Sequence, residues 1–247
     1  MFAGLKTAGG IIRSLRIYYG DREHASAMDR LYRQFVTAGD LVFDVGAHVG
    51  DRVASFRRLG ARVVAVEPQP AVVRVLRLLY GRSRDVVIEP FAVGREAGAV
   101  EMMINPANPT VATASADFIG AARDAPGWKE QRWTKKARVE KTTLDLLVRK
   151  HGTPSFIKID VEGYEAEVLA GLSKPVRALS FEFTTIQRGV AVACIERCVE
   201  LGYTKFNAAL GESQKFAYVE WLDDAGLRAW LNALPHSANS GDIYAAL

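Results

Sequence analysis

Residues Leu41-Val-Phe-Asp-Val-Gly-Ala-His-Val-Gly-Asp51 constrain the fold more than any other stretch. The apolar run Leu41 to Asp44 stops at an acid and reads as a buried strand. Gly46 and Gly50 then let the backbone turn sharply into a helix beginning near Asp51. Strand, glycine turn and helix make a nucleotide-binding corner. Free amides at the helix start favour a negative group, and a residue without Cβ lets a ligand approach the main chain closely.

Two ligand classes use such a corner. A dinucleotide fingerprint needs Gly-x-Gly-x-x-Gly so that a pyrophosphate can lie against bare backbone. Here His48 stands in the second glycine's place. Bulk there argues against NAD or FAD and for a ligand with a smaller anion, such as the carboxylate of S-adenosylmethionine. Gly46, Ala47, His48 and Gly50 are accordingly candidate cofactor contacts. Ala61-Arg-Val-Val-Ala-Val-Glu67 is a second buried strand, ending in a carboxylate 21 residues after Gly46 (67 − 46). An acid at about that distance, on the tip of the neighbouring strand, is placed to accept both hydroxyls of a ribose.

A chain of 247 residues, 49% hydrophobic, suits one α/β domain with an insertion rather than two independent domains. The division expected is an N-terminal helical segment over 1–38 and a catalytic domain over 39–247, with an insertion over about 98–143. With 32 basic against 28 acidic residues the net charge is +4, too small to imply nucleic acid by itself. Cys194 and Cys198 fall four apart on one helix face and read as reduced core thiols, which points to the cytoplasm. No histidine pair completes a ligand set with them, and no residue is assigned to a metal. No run of about 18 apolar residues spans a membrane. The opening stretch, Met1 to Tyr19, mixes Lys6, Arg13 and Arg16 with Ile11, Ile12, Leu15 and Ile17, without the continuous apolar core of a signal peptide. It reads as a docking helix more readily than as a leader resting on a membrane surface. Nothing in the sequence specifies an oligomeric state.

Along the chain, strand and helix patterns alternate. An amphipathic helix is expected over Arg22–Thr37. Val53 and Phe56 face inward from the helix after the glycine corner, with Arg52, Arg57 and Arg58 outward. Pro70 opens a helix with a Val72, Val75, Leu76, Leu79 stripe, and Arg84–Glu89 is a third strand. The small-polar stretch Thr110–Ala122 and the basic stretch holding Trp128 and Trp133 interrupt the rhythm. That insertion reads either as a lid for an anionic or sugar-like acceptor or as a basic surface with its tryptophans in the core. Basic residues interleaved with aromatics also suit single-stranded nucleic acid, the second choice of partner. Thr143 starts a helix, and Ser155–Asp160 is the fourth strand. Ala178–Phe183 is the fifth, and a helix over Val190–Leu201 follows. A strand near Tyr203–Phe206, a helix carrying Trp221, Leu227, Trp230 and Leu231, and the strand Asp242–Ala245 complete the pattern. It predicts a doubly wound, mostly parallel sheet of seven strands.

Asp44, Glu67, Asp160 and Glu182 all fall at strand ends, so four carboxylates are expected to ring one crevice. Cofactor binding accounts for two. Asp160 and Glu182 then face a substrate, which suits methyl transfer from a sulfonium to a hydroxyl: positioning dominates, and a base takes the proton. Lys158 is a candidate buried partner for Asp160, and His48 a second candidate base.

Val42-Phe-Asp-Val-Gly-Ala-His-Val-Gly-Asp51, Val66-Glu-Pro68 with Pro70, Ala92-Val-Gly94, Thr143-Leu-Asp145, Phe156-Ile-Lys-Ile-Asp-Val-Glu-Gly163 with Glu165, and Gly241-Asp-Ile-Tyr-Ala245 resemble the successive motifs of the FkbM-like S-adenosylmethionine-dependent methyltransferases. The likeness runs from about Thr37 to the end. It implies a Rossmann-like fold of the class I methyltransferase type and O-methylation of sugars, polyketides or related small molecules. On that resemblance Asp44, Gly46 and Gly50 lie along the methionine part, Glu67 on the ribose, and Phe91 and Ala92 near the adenine. Asp160 and Glu162 match the family's acidic motif, and Asp160 is also a candidate contact to the methionine amine. A protein that binds the cofactor without turnover is the remaining alternative.

Overall fold

The computed structural model describes residues 2–247, with side chains from residue 6 onward. The sequence reading of the opening stretch therefore holds one residue, Met1, that lies outside the described residues.

Four β-branched and apolar runs form one half of the sheet: β1 (Leu41–Val45), β2 (Arg62–Val66), β3 (Val86–Glu89) at the edge and, much later in the chain, β7 (Phe156–Ile159). With β8 (Ala178–Thr184), β9 (Lys205–Leu210) and β10 (Ser240–Ala246) they make seven strands in the order β3-β2-β1-β7-β8-β10-β9. Five are parallel neighbours, and β10 runs antiparallel between β8 and β9. Both faces of β1 and β7 are buried, as a sheet covered by helices on each side requires. The order expected from the sequence is therefore present: doubly wound, mostly parallel and seven-stranded.

Chain order reverses between β1 and β7. From β1 the chain winds outward to β2 and β3, then returns to the other side of β1. Ligands of open α/β sheets sit at that reversal, outside the carboxyl ends of the strands.

The helices have chemically legible ends. Asp21 caps α2 (Arg22–Tyr32), Thr143 caps α6 (Leu144–His151) and Asp223 caps α9 (Asp224–Ala233), each by accepting backbone N–H bonds in the first turn. Pro70 opens α4 (Pro70–Tyr80). Cys194 and Cys198 lie buried and free in α8 (Arg188–Leu201). Among the described residues no helix is long and apolar enough to cross a membrane.

Several local expectations need correction. The helix expected over Arg22–Thr37 stops at Tyr32, because the chain turns there to stack Phe35 on Phe156 and Tyr244. Trp221 precedes α9 rather than belonging to it, since the Asp223 cap fixes the helix start. Within 98–143 the structure holds β5 (Gly98–Ile104), α5 (Ala116–Ala122) and β6 (Lys135–Thr142). β6 pairs antiparallel with β5 and parallel with β4 (Ala92–Val93) in a separate three-stranded sheet. Neither α5 nor β6 was expected: α5 is short and small-residue, and β6 is a half-exposed, charge-rich strand with one buried side chain, Val139.

Candidate functional site

At the reversal point, one crevice opens over the ends of β1, β2 and β7, where open α/β sheets take their ligands. Its floor is the glycine turn. Gly46 has φ +86°, and an added Cβ would lie 1.7 Å from the Asp160 carbonyl oxygen. The close approach of the β1 and β7 ends thus depends on a residue with no side chain. The Gly46 and Ala47 amides both donate to the Val66 carbonyl, tying the turn to β2.

Glu67 sits beside this turn, 3% exposed. Its Oε2 accepts the His48 backbone N–H at 3.1 Å and its Oε1 that of Gln69 at 2.8 Å. Burial pushes its carboxyl up to about 7 against these two bonds. Asp44, at the end of β1, is also raised to about 7, by burial and then by repulsion from Asp51, and its Oδ2 has no partner. Asp44, Gly46, Ala47, His48, Glu67, Phe91, Ala92 and Asp160, all expected cofactor contacts, line this one crevice.

Gly50 does not line it. It turns the chain with φ +86° under Tyr80 and Leu76, each of which an added Cβ would meet within 3 Å. His48 also has a positive φ, +45°, and its Nε2 is buried without a partner. Burial lowers the imidazole's pKa, so the ring is held neutral.

The β7 end carries the acids. Lys158, 1% exposed, donates to Asp160 Oδ2 at 3.3 Å and to Asp242 Oδ1 at 2.7 Å. Burial works to raise Asp160, but Lys158 and Arg52 outweigh it and hold the carboxyl below its usual range. Glu162 lines the crevice with φ +56°, and Thr113 donates to its carbonyl at 2.6 Å. Glu182 is placed differently from the other three strand-end acids. It lies two residues before the end of β8 and opens on a smaller neighbouring hollow with Gly163, Glu165 and Gln187. One of its oxygens nevertheless lies within 4.8 Å of one from Asp160 and one from Glu162.

Sequence reasoning assigned Arg52 to the outer face of its helix, α3 (Asp51–Arg58), and the structure corrects this. The guanidinium is buried in the crevice wall between Asp51 and Glu212, with Glu212 Oε2 at 2.9 Å. Glu212 comes from a loop with no motif of its own. Tyr18, at the end of α1 (Phe2–Tyr19), also lines the crevice, and the Tyr19 hydroxyl beside it donates to the Val49 carbonyl at 3.0 Å. The one sequence signal for this was the apolar spacing of Ile11, Leu15 and Tyr18, which pack on Val49 and Val72.

The insertion borders the crevice and packs its tryptophans inward. Met102, Thr110, Ala112 and Ala114 line the crevice. The two tryptophans pack around Phe118 and Val111, their indole N–H groups bonded to Asn239 Oδ1 at 2.9 Å and to the Val111 carbonyl at 2.7 Å. The stacking platform that a nucleic-acid surface needs is thus turned inward.

Comparison with known proteins finds one family and several distant relatives. The profile of the methyltransferase FkbM domain matches residues 44–237. Hexuronic acid methyltransferase AglP of Haloferax volcanii is 25% identical over 176 residues, 65% of this chain and 62% of that protein, so the match spans under two thirds of its length. Among solved structures, Aeropyrum pernix fibrillarin with bound S-adenosyl-L-methionine aligns at TM-score 0.46 and 11% identity, over 86% of this chain and 68% of that one. Precorrin-6y C5,15-methyltransferase of Geobacter metallireducens aligns at TM-score 0.43 and 13% identity, over 92% and 90%.

Proposed function

This chain belongs to the family of the methyltransferase FkbM domain, and from that premise we propose that it transfers the methyl group of S-adenosylmethionine to a hydroxyl oxygen of a sugar, glycan or other small hydroxylated acceptor. One observation carries the reading: the Gly46 turn and the Glu67 carboxylate stand side by side in a single crevice, which supports one adenosyl amino acid lying across both. Glu67, with both oxygens already oriented by backbone amides, takes the ribose hydroxyls. The turn from Gly46 to His48 takes the methionine part, and Phe91 and Ala92 border the adenine. The similarity to a hexuronic acid methyltransferase supports a sugar as acceptor.

The reaction is an in-line displacement. The bond between sulfur and methyl carbon breaks with its electron pair going to sulfur, while the acceptor oxygen forms the new bond to carbon. The hydroxyl proton passes to a carboxylate, for which Asp160 is the proposed acceptor and Glu182 its neighbour. Most of the acceleration comes from holding oxygen, carbon and sulfur in line within a water-poor crevice.

The test is incubation with methyl-labelled S-adenosylmethionine and a panel of glycans and small hydroxylated compounds. Label in an ether on one class of acceptor supports the reading. Tight cofactor binding with no label on any hydroxyl overturns the transferase assignment in favour of a cofactor-binding protein without turnover.

A further inference from the structure

Asp160, Glu162 and Glu182 bring one carboxylate oxygen each within 4.8 Å of the other two. Carboxylates this close repel one another when ionised, so the cluster is completed either by protons or by a positive group standing among the oxygens. Two neighbouring buried acids are satisfied: Glu165 Oε1 accepts the Val161 and Gly163 amides, and Glu67 accepts those of His48 and Gln69. Glu162 is not. It is 94% buried (6% exposed), and its Oε2 is sealed from solvent without any donor. Glu182 Oε2 is in the same condition. Among the described residues the ammonium that reaches the cluster is Lys158, and its bonds go to Asp160 and Asp242.

We propose that Asp160, Glu162 and Glu182 hold a hard divalent cation, of the Mg²⁺ or Mn²⁺ class, in the wall of the crevice. The oxygens are near enough to be drawn onto one ion: on an octahedral ion with bonds of about 2.1 Å, cis oxygens lie about 3 Å apart and trans oxygens about 4.2 Å, so a set within 4.8 Å closes by small side-chain rotations. An all-oxygen set selects against zinc and copper, which favour nitrogen and sulfur. Topology makes the set possible. Asp160 follows β7, Glu162 lies two residues on in a left-handed conformation, and Glu182 comes from the adjacent parallel strand β8. Since Asp160 and Glu162 line the crevice and Glu182 lies behind it, the ion's remaining positions face the acceptor. Two of them fit a pair of adjacent hydroxyls, or a hydroxyl beside a carboxylate. A cation on a hydroxyl also loosens its proton. That use rests on the methyl-transfer reading; the cation site does not.

The experiment titrates Mn²⁺ into the metal-free full chain at slightly alkaline pH, followed by calorimetry and by the Mn²⁺ electron-spin signal, with S-adenosylmethionine binding measured separately. One Mn²⁺ bound per chain, with a rise in melting temperature, is the expected result. Glu162→Gln and Glu182→Gln should each weaken Mn²⁺ binding about tenfold or more, no less than the loss of an outer-shell partner causes. In metal-free buffer both variants should still unfold cooperatively, which shows that they fold. Absence of Mn²⁺ binding in a chain that binds the cofactor overturns the proposal, as does Mn²⁺ binding unchanged in both variants. Mn²⁺ binding in a chain that does not bind the cofactor supports the cation site and removes the methyl-transfer reading instead.

Discussion

The two ends of the crevice treat their carboxylates in opposite ways. At the β2 end Glu67 is clasped by the backbone amides of His48 and Gln69 before any ligand arrives. At the β7 end Glu162 and Glu182 each keep a buried oxygen with no donor at all. A clasped acid is a preorganised acceptor, costing little to fix when hydroxyls come to it. An unclasped acid is an expense in the free protein that a bound positive group or proton must offset. On the proposed function, the difference separates a rigid recognition end, suited to a constant cofactor, from an end whose electrostatics are completed by what binds there.

Altering the boundary between the two ends should have the largest effect. Gly46→Ala places a methyl against the Asp160 carbonyl in a left-handed conformation. It should therefore lower stability by about 3–5 kcal/mol in urea unfolding and abolish cofactor binding, because both ends shift at once. A folded variant that binds normally would show that the two ends are not coupled through this turn.

At the acid end, Asp160→Asn keeps shape and removes charge. Turnover should drop by about 10²-fold or more while the cofactor dissociation constant moves far less, as steady-state kinetics and calorimetry will read. A pure loss of cofactor affinity would assign Asp160 to recognition instead.

At the clasped end, Glu67→Ala should weaken cofactor binding by about 1–3 kcal/mol, the scale of lost charged hydrogen bonds, and leave turnover at saturation much less affected. An unchanged dissociation constant removes Glu67 from the ribose.

The smallest expected effect concerns pH in the free protein. Glu67 is raised in the fold to about 7 from an ordinary 4.5, so its protonated form is the stable one there. Its contribution is complete below about 4.5 and is lost as pH rises through about 7. Against Glu67→Gln, which cannot ionise, the parent should lose ground in thermal unfolding across that window. A constant gap would mean that the clasping amides already hold Glu67 ionised.

The clasped end was largely legible in the sequence because its requirements are local. A strand that stops at Asp44, glycines where the chain must bend, and an acid on the next strand tip all declare themselves by type and spacing. Even so, His48 and Gln69 as donors to Glu67 were invisible, since any residue but proline supplies an amide. The acid end was legible only as a list. Asp160, Glu162 and Glu182 could be named, but that β8 lies beside β7 and brings Glu182 behind the other two is a product of strand order. Arg52 was misplaced because helical spacing grouped it with Arg57 and Arg58, whereas Asp51 and a distant loop acid, Glu212, draw it inward. The strand β6 escaped because the face opposite Val139 carries Lys136, Arg138 and Glu140, and pairing with β5 rather than apolar content holds it.

The most direct test of the central claim, that the Gly46 turn and Glu67 grip one adenosyl amino acid, is a crystal structure with bound S-adenosylhomocysteine. The account predicts both ribose hydroxyls within hydrogen-bond reach of the Glu67 carboxylate and the amino-acid part lying against the Gly46 to His48 backbone. An adenosyl group bound elsewhere, with Glu67 still bonded only to its two amides, would contradict it.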